Sequence, residues 1–258
     1  MVMPKVAMVA ALEREVSGLT RNCARVEQEF QGRSFVFLEC DELVIVCGGI
    51  GMDAARRAAE AVIALYSPER LLSVGFAGAL ETVLRVGEVF EPAAVVDARD
   101  GSRVEISGGD RKGILVSFMA VAGVEQKASL ARAYGAQAVD MEAAAVASAA
   151  RSHDIGFSAI KVISDESTFE IPGMETARFI DARGQFRTAS FAAFVAFRPW
   201  LWRRVAVLAG NSRKAATALV RHLERFRQGL SQASDRAPEK IDASPQPAAN
   251  GLRANGRE

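Results

Sequence analysis

Carboxylates are the residues whose types and spacing could do chemistry in this chain, and the stretch from Ala138 to Glu166 sets them about one helix–strand unit. The stretch reads AVDMEAAAVASAARSHDIGFSAIKVISDE. Asp140 and Glu142 open an alanine-rich segment, and Asp165 ends an apolar run beyond a short glycine-containing turn. Brought into one cleft, such groups can exchange protons with a bound molecule and stabilise developing positive charge. Other chemistries lack their parts. The chain has two histidines, His153 and His222, so neither a zinc site nor a Ser-His-Asp triad is expected. Its three cysteines, Cys23, Cys40 and Cys47, have no metal or redox spacing.

The neighbouring elements must bring these groups together. Alanine dominates from Ala143 to Ala150 and predicts a helix, with Asp140 and Glu142 at its start, where the dipole favours carboxylates. Ile155 to Ile163, apolar and partly β-branched, predicts a buried strand. Glu142 and Asp165 then stand at opposite ends of one helix–strand unit. His153, near the helix C-terminus, reads as a solvated cap. Upstream, Lys5 to Ala11 predicts a first buried strand and Leu12 to Val16 the turn into a helix. Glu15 lies just past that strand, where α/β folds place ligand contacts. On local grounds alone it reads first as a solvated first-turn residue. Arg33 to Glu39 and Glu42 to Cys47 predict a hairpin about Asp41.

Two glycine-rich stretches follow. Gly49-x-Gly51-x-x-Ala54, ahead of a helix Ala54 to Leu65, satisfies a loose dinucleotide fingerprint. Against a nicotinamide cofactor, the next strand, Arg70 to Val74, has no acidic residue at its end to hold a ribose. It ends on Gly75-Phe76-Ala77-Gly78. Both stretches read as backbone bends that let a ligand approach, with amides free for an anion or a sugar. Val86 to Pro92, Ala93 to Val96 and Gly113 to Val121 are further strand material, Asp97 to Asp110 a loop or hairpin arm, and Gln126 to Tyr134 a helix. This alternation predicts a single-domain, three-layer α/β/α fold with a mostly parallel, mixed central sheet.

The chain of 258 residues is half hydrophobic with a net charge of +1, which suits a soluble globular protein and gives no global electrostatic case for nucleic acid. The apolar run Val6 to Leu12 is too short for a signal peptide and runs into Glu13-Arg14-Glu15. Unpaired thiols predict a reducing compartment, hence the cytoplasm. Beyond Asp165 the character changes. Ser167 to Thr188 is polar and irregular; Ala189 to Ala209 (ASFAAFVAFRPWLWRRVAVLA) is rich in Phe and Trp, is broken by Pro199 and carries Arg198, Arg203 and Arg204. It is too charged and interrupted to span a bilayer. It reads either as an interfacial segment making peripheral membrane contact through 189–209, or as a helix pair packed on the domain or on a partner chain. Asn211 or Ser212 can cap a last helix, Arg213 to Arg227. Gly229 to Glu258 lacks apolar periodicity and reads as a disordered tail. The organisation expected is a catalytic domain over 1–228, with an insert at 167–210, and a tail over 229–258.

Five ordered motifs carry a family resemblance. They are Ala11-Leu12-Glu13-Arg14-Glu15-Val16, Gly49-Ile50-Gly51, Val74-Gly75-Phe76-Ala77-Gly78-Ala79-Leu80 with Val86-Gly87-Glu88-Val89, Val139-Asp140-Met141-Glu142-Ala143, and Ile163-Ser164-Asp165. Their order resembles that of the nucleoside phosphorylase superfamily, and the branch looks like methylthioadenosine/S-adenosylhomocysteine nucleosidase. Each motif is weak alone; the ordered set is specific. The resemblance runs from about Lys5 to Asp165 and resumes in the last helix. The insert, with Arg183-Gly184-Gln185-Phe186-Arg187-Thr188 and Arg198-Pro199-Trp200-Leu201-Trp202, resembles the hopanoid-associated phosphorylase group, bacterial enzymes thought to remove adenine from adenosylhopane.

The resemblance implies cleavage of the N-glycosidic bond of an adenine nucleoside with an apolar 5′ substituent, adenosylhopane in hopanoid biosynthesis being the substrate it names. No cofactor is implied, with phosphate a co-substrate if it is the nucleophile. Asp165 matches the acid at adenine N7, a role that requires its pKa to rise from about 3.9 through burial or a neighbour's hydrogen bond. Glu142 matches the residue that binds the ribose 2′- and 3′-hydroxyls, Met141 the apolar floor under the sugar, and Glu15 the residue that orients the attacking water. Backbone groups around Ala120 and Val121 would read the adenine edge, Ser164 would support Asp165, and Ile50 and Phe76 would adjoin the substrate. Two positions depart from the pattern: Phe76 stands where nucleosidases carry a small hydroxyl residue, and Gly48 replaces the serine of their Ser-Gly-Ile-Gly turn. The nucleophile, water or phosphate, therefore stays open. Relatives imply a homo-oligomer, and a lipid-linked nucleoside implies a place at the inner membrane surface. Two alternatives stand beside this one: a methylthioadenosine/S-adenosylhomocysteine nucleosidase, and a non-catalytic nucleoside-binding scaffold protein.

Overall fold

The computed structural model describes residues 5–107, 111–172, 179–181 and 184–235. Along the chain the elements are β1 (Val6–Ala10), α1 (Glu13–Val16), β2 (Ala24–Phe30), β3 (Arg33–Cys40), β4 (Leu43–Cys47), α2 (Met52–Tyr66), β5 (Arg70–Ala79), β6 (Val89–Phe90) and β7 (Ala94–Asp97). Then come β8 (Arg103–Glu105), β9 (Ile114–Ser117), α3 (Val124–Tyr134), β10 (Ala138–Asp140), α4 (Ala143–Ser152), β11 (Gly156–Asp165), α5 (Thr188–Ala196) and α6 (Pro199–Asp235).

One mixed sheet runs in the order β2-β3-β4-β1-β5-β10-β9-β7-β8. β11 lies parallel to β5 from Gly156↔Arg70 to Asp165↔Gly78, which occupies one edge of β5 along nearly its whole length. The other edge is shared. β1 pairs in parallel only as far as Val9↔Ser73, and β10 joins antiparallel at Val139↔Gly78. The sheet therefore forks beside Val74 to Ala77, and the C-terminal ends of β1, β5, β10 and β11 converge there.

Strand alternation puts side chains into two cores. Ala7 and Val9 of β1 face Ala55, Ala58 and Val62 of α2 and Val146 and Ala149 of α4. Val6, Met8 and Ala10 face Val16 and Leu19 near α1 and Ala215, Leu219 and Leu223 of α6. Each buried Val or Leu stabilises the layers by roughly 1.5–3 kcal/mol. Helices thus cover both faces, and the expected three-layer α/β/α fold with a mixed sheet is the observed one.

Several local expectations are corrected. Ala138–Asp140 is a strand, its backbone taken up by β9 and β5, so Asp140 ends a strand and does not open the helix, which starts at Ala143 as expected. Gly75 to Gly78 is not a turn: β5 continues through it because β11 pairs with it throughout. α6 is one helix of 37 residues, with Asn211 and Ser212 inside it and no new start at Arg213. Pro199 begins that helix, where a missing N–H has no partner to lose. Gly229 to Asp235 is helical, not tail, and 236–258 lie outside the described residues, as does Arg183. The strand β2 was not anticipated, and it overturns the reading of unpaired thiols. Its pairing with β3, Ala24↔Glu39, sets Cys23 beside Cys40 in a disulfide with 4.7 Å between Cα atoms. Cys47 is the free cysteine, and the argument from unpaired thiols to the cytoplasm loses its footing. None of the described helices is long and apolar enough to cross a membrane.

Candidate active site

The fork opens into a cavity of about 620 Å³. Ligands of α/β folds bind outside the carboxyl ends of the strands, and each expected site residue comes from such an end or the loop after it. Leu12 and Glu15 follow β1, Ile50 follows β4, Phe76 lies late in β5, Ala120 and Val121 follow β9, Met141 and Glu142 follow β10, and Ser164 and Asp165 end β11; all of them line the cavity.

Asp140 and Glu142 divide the work at the start of α4. Asp140 Oδ2 accepts the Ala143 N–H at 2.8 Å, while Ser117 Oγ donates to Asp140 Oδ1 at 2.5 Å and accepts the Ala144 N–H at 2.9 Å. These contacts satisfy the helix's first amides, so Glu142 makes no capping bond. Its carboxylate accepts instead the N–H of Gly51 at 2.9 Å and of Met141 at 3.3 Å and stays beside the cavity. Burial, reinforced by Asp140, pushes the Glu142 carboxyl well above the usual carboxylate range; Lys161 and the Gly51 N–H oppose this.

Glu15 departs from its local reading. Its side chain is 4% exposed, because α1 lies under α6 and turns the residue inward. Burial raises its pKa to about 7 against the opposing charge of Lys161. Room for it comes from Gly75, at φ +144°: an added Cβ there would lie 3.0 Å from Glu15 Oε2 and 3.9 Å from Lys161 Nζ. Lys161 sits opposite Gly75 in the β5–β11 register and pairs with Asp140 at 2.8 Å. Burial works against its charge, but Asp140, Glu142 and Glu15 together outweigh that and raise its pKa.

At the other carboxylate, Ser164 Oγ donates to Asp165 Oδ1 at 2.7 Å, and Lys127 of α3, 2% exposed, forms an ion pair with Asp165. Lys127 also donates to Glu166 O at 2.7 Å and Phe169 O at 3.1 Å, so all three ammonium hydrogens have acceptors. The neighbours of Asp165 are thus a buried lysine as well as the hydrogen-bonding serine anticipated.

The first glycine turn is closed to anions. Gly48 N–H donates to Ala10 O, Gly49 N–H to Ala11 O, Ile50 N–H to Gly184 O and Gly51 N–H to Glu142, so the amides expected to be free are taken. That also removes the basis for a dinucleotide site. Gly48 itself is a packing requirement, since a Cβ there would lie 2.7 Å from Ala58 Cβ and 2.9 Å from Ala54 O. The insert reaches the same cavity: Ile180, Phe186, Phe191, Val205 and Leu208 line it with the carboxylates.

Sequence reasoning missed Lys127, Lys161 and the structural work of Asp140. Lys161 had a signal, as the charged residue in the apolar run Ile155 to Ile163. Lys127 had none, since a lysine in a polar helix reads as solvated.

Among solved structures, Helicobacter pylori 5′-methylthioadenosine/S-adenosyl homocysteine nucleosidase, in complex with a pyrrolidin-3-ol compound, is 16% identical. The alignment covers 89% of this chain and 100% of that one with a TM-score of 0.64. The Campylobacter jejuni nucleosidase of the same name is 15% identical over 86% of this chain and 99% of that one, TM-score 0.61. Futalosine hydrolase of Helicobacter pylori is 18% identical over 85% and 98%, TM-score 0.57. At such identities the likeness is one of fold. No curated protein sequence matches. The sequence itself matches the Phosphorylase superfamily over residues 5–118 and 116–197, and the chain belongs to that family.

Proposed function

We propose that the protein cleaves the N-glycosidic bond of an adenine nucleoside carrying a large apolar 5′ substituent, with water as the attacking group. One observation carries this reading: a single cavity is lined both by Glu15, Glu142 and Asp165 and by the apolar insert residues Ile180, Phe186, Phe191, Val205 and Leu208. An adenine anion is a poor leaving group, so its departure needs a proton at N7. Asp165, fixed by Ser164 and paired with Lys127, is placed to hold that proton against N7. Glu142, held by the amides of Gly51 and Met141, accepts the ribose hydroxyls and faces the oxocarbenium-like sugar. Glu15, with a pKa of about 7, is poised near neutrality to take a proton from water. Phosphate is the weaker candidate, because Glu15, Asp140 and Glu142 face Lys161 and a phosphate dianion would add to this negative charge.

Adenosylhopane is the substrate that the hopanoid-associated resemblance names, and its hydrocarbon suits the insert's lining. Methylthioadenosine is the smaller comparator and leaves most of that lining uncovered. The test is incubation with each nucleoside, with and without phosphate, followed by analysis of adenine and of the sugar product. Phosphate-independent adenine release and a product free of phosphate are expected, with adenosylhopane the better substrate by kcat/KM. Ribose-1-phosphate chemistry would reassign the nucleophile. Absence of adenine from both substrates would refute the enzymatic reading and favour a nucleoside-binding scaffold.

A further inference from the structure

We infer that the hairpin of α5 and the first turns of α6 docks the protein on an anionic lipid bilayer, with Phe197, Trp200 and Trp202 entering the apolar boundary and arginines meeting the lipid phosphates. α5 reads TASFAAFVA, yet none of its residues is buried. Phe197 is 82% exposed, Trp200 70% and Trp202 56%. Of the seven large hydrophobic residues exposed among the described residues, four lie between Phe197 and Val207, so the exposure is a patch and not a scatter.

Charge indicates what covers the patch. Residues 182–223 contain eight Arg and Lys and no Asp or Glu, although the whole chain carries only +1. A cationic segment without acidic residues and with Trp and Phe beside its arginines matches the headgroup and acyl boundary of an anionic membrane. The hairpin is also preformed. Trp202 Nε1 donates to Val195 O at 3.0 Å, and Arg198 donates to Phe194 O at 2.9 Å with its guanidinium 4.0 Å from the Phe194 ring centre. Little ordering is left for the moment of contact.

The geometry of α6 ties this surface to the cavity. Leu201 is buried and Val205, Leu208 and Ser212 line the cavity at helical spacing, while Trp200, Arg203 and Val207 point outward from the same turns. An apolar substituent can thus pass from the bilayer into the cavity along one helix pair. That purpose rests on the proposed function; the docking itself does not.

Both tryptophans of the chain, Trp200 and Trp202, lie in the patch, so selectively excited tryptophan fluorescence reports on it alone. The full chain is mixed with vesicles of phosphatidylcholine, or of phosphatidylcholine with phosphatidylglycerol, each with and without brominated acyl chains. A blue shift and bromine quenching are expected on the anionic vesicles and should weaken with salt. In the double variant Phe197→Ser/Trp200→Ser, read through Trp202, and in Arg203→Glu, partitioning should fall by about tenfold or more. Circular dichroism, and adenine release from soluble methylthioadenosine where the wild type shows it, should be unchanged in both. Unaltered emission on anionic vesicles would overturn the inference, and so would equal partitioning onto both vesicle types. A shift that follows protein concentration without lipid would overturn it in favour of a second copy of the chain. If the protein releases no adenine at all, the fluorescence result still decides the docking.

Discussion

Lys161 Nζ lies 2.8 Å from the Asp140 carboxylate, with the two side chains 1% and 0% exposed. Asp140 lines the cavity and accepts the Ala143 N–H at the start of α4, and Lys161 faces Glu15 and Glu142. A buried pair adds little net stability, but removing one partner leaves an uncompensated charge at a cost of about 3–5 kcal/mol. Lys161→Met should therefore lower the unfolding free energy read from urea denaturation by an amount of that order. A variant with the wild-type midpoint would show that the carboxylates relax without their cation.

Glu15 gives a prediction in pH. Its carboxyl is raised from 4.5 to about 7 in the folded chain, so between those values the folded state holds the extra proton. Stability from this group is fully present below about 4.5 and is lost as pH rises through about 7, a total of about 3 kcal/mol. Glu15→Gln removes the loss, so the variant should gain on the wild type in Tm between pH 5 and pH 8. As a base, Glu15 must be ionised, so wild-type kcat/KM should climb with pH and level off above about 7. A Glu15→Gln enzyme that keeps this limb would assign it to another group.

Much of the frame was legible because it depends on local pattern. The apolar runs of β1, β4 and β11 and the alanines of α4 announce their elements. The position of Asp165 follows from a strand end in an α/β rhythm, and that of Glu142 from the start of α4. What local pattern cannot show is pairing between distant segments. β11 holds Gly75 to Gly78 extended where glycines suggested a turn, and β2 brings Cys23 to Cys40. The burial of Glu15 and Lys127 likewise depends on elements far along the chain, so both read as solvated helix residues.

Asp165 and Lys127 can be separated by kinetics. Asp165→Asn loses the acid and should reduce kcat by about 10²–10⁴-fold with the fold intact. Lys127→Met loses the partner of Asp165 and the anchor on Glu166 O and Phe169 O. It should lower kcat by a smaller factor, and Lys127→Arg should recover part of the loss by restoring the charge. Equal rates for Lys127→Met and wild type would leave Lys127 as an anchor for the segment after β11 and nothing more.

The last prediction concerns the insert as a determinant of specificity. Leu208 lines the cavity from α6 and lies well away from Asp165 and Glu15 in sequence. Replacing it by serine removes apolar surface and adds a hydroxyl, at a cost to a bound hydrocarbon of about 1.5–3 kcal/mol. A substrate whose 5′ group reaches the insert should therefore lose about 10- to 100-fold in kcat/KM, while methylthioadenosine, too short to touch Leu208, should lose little. Paired kinetics on the two substrates read the difference directly, and a parallel loss on both would mean that Leu208 supports the cavity's shape and not the 5′ group.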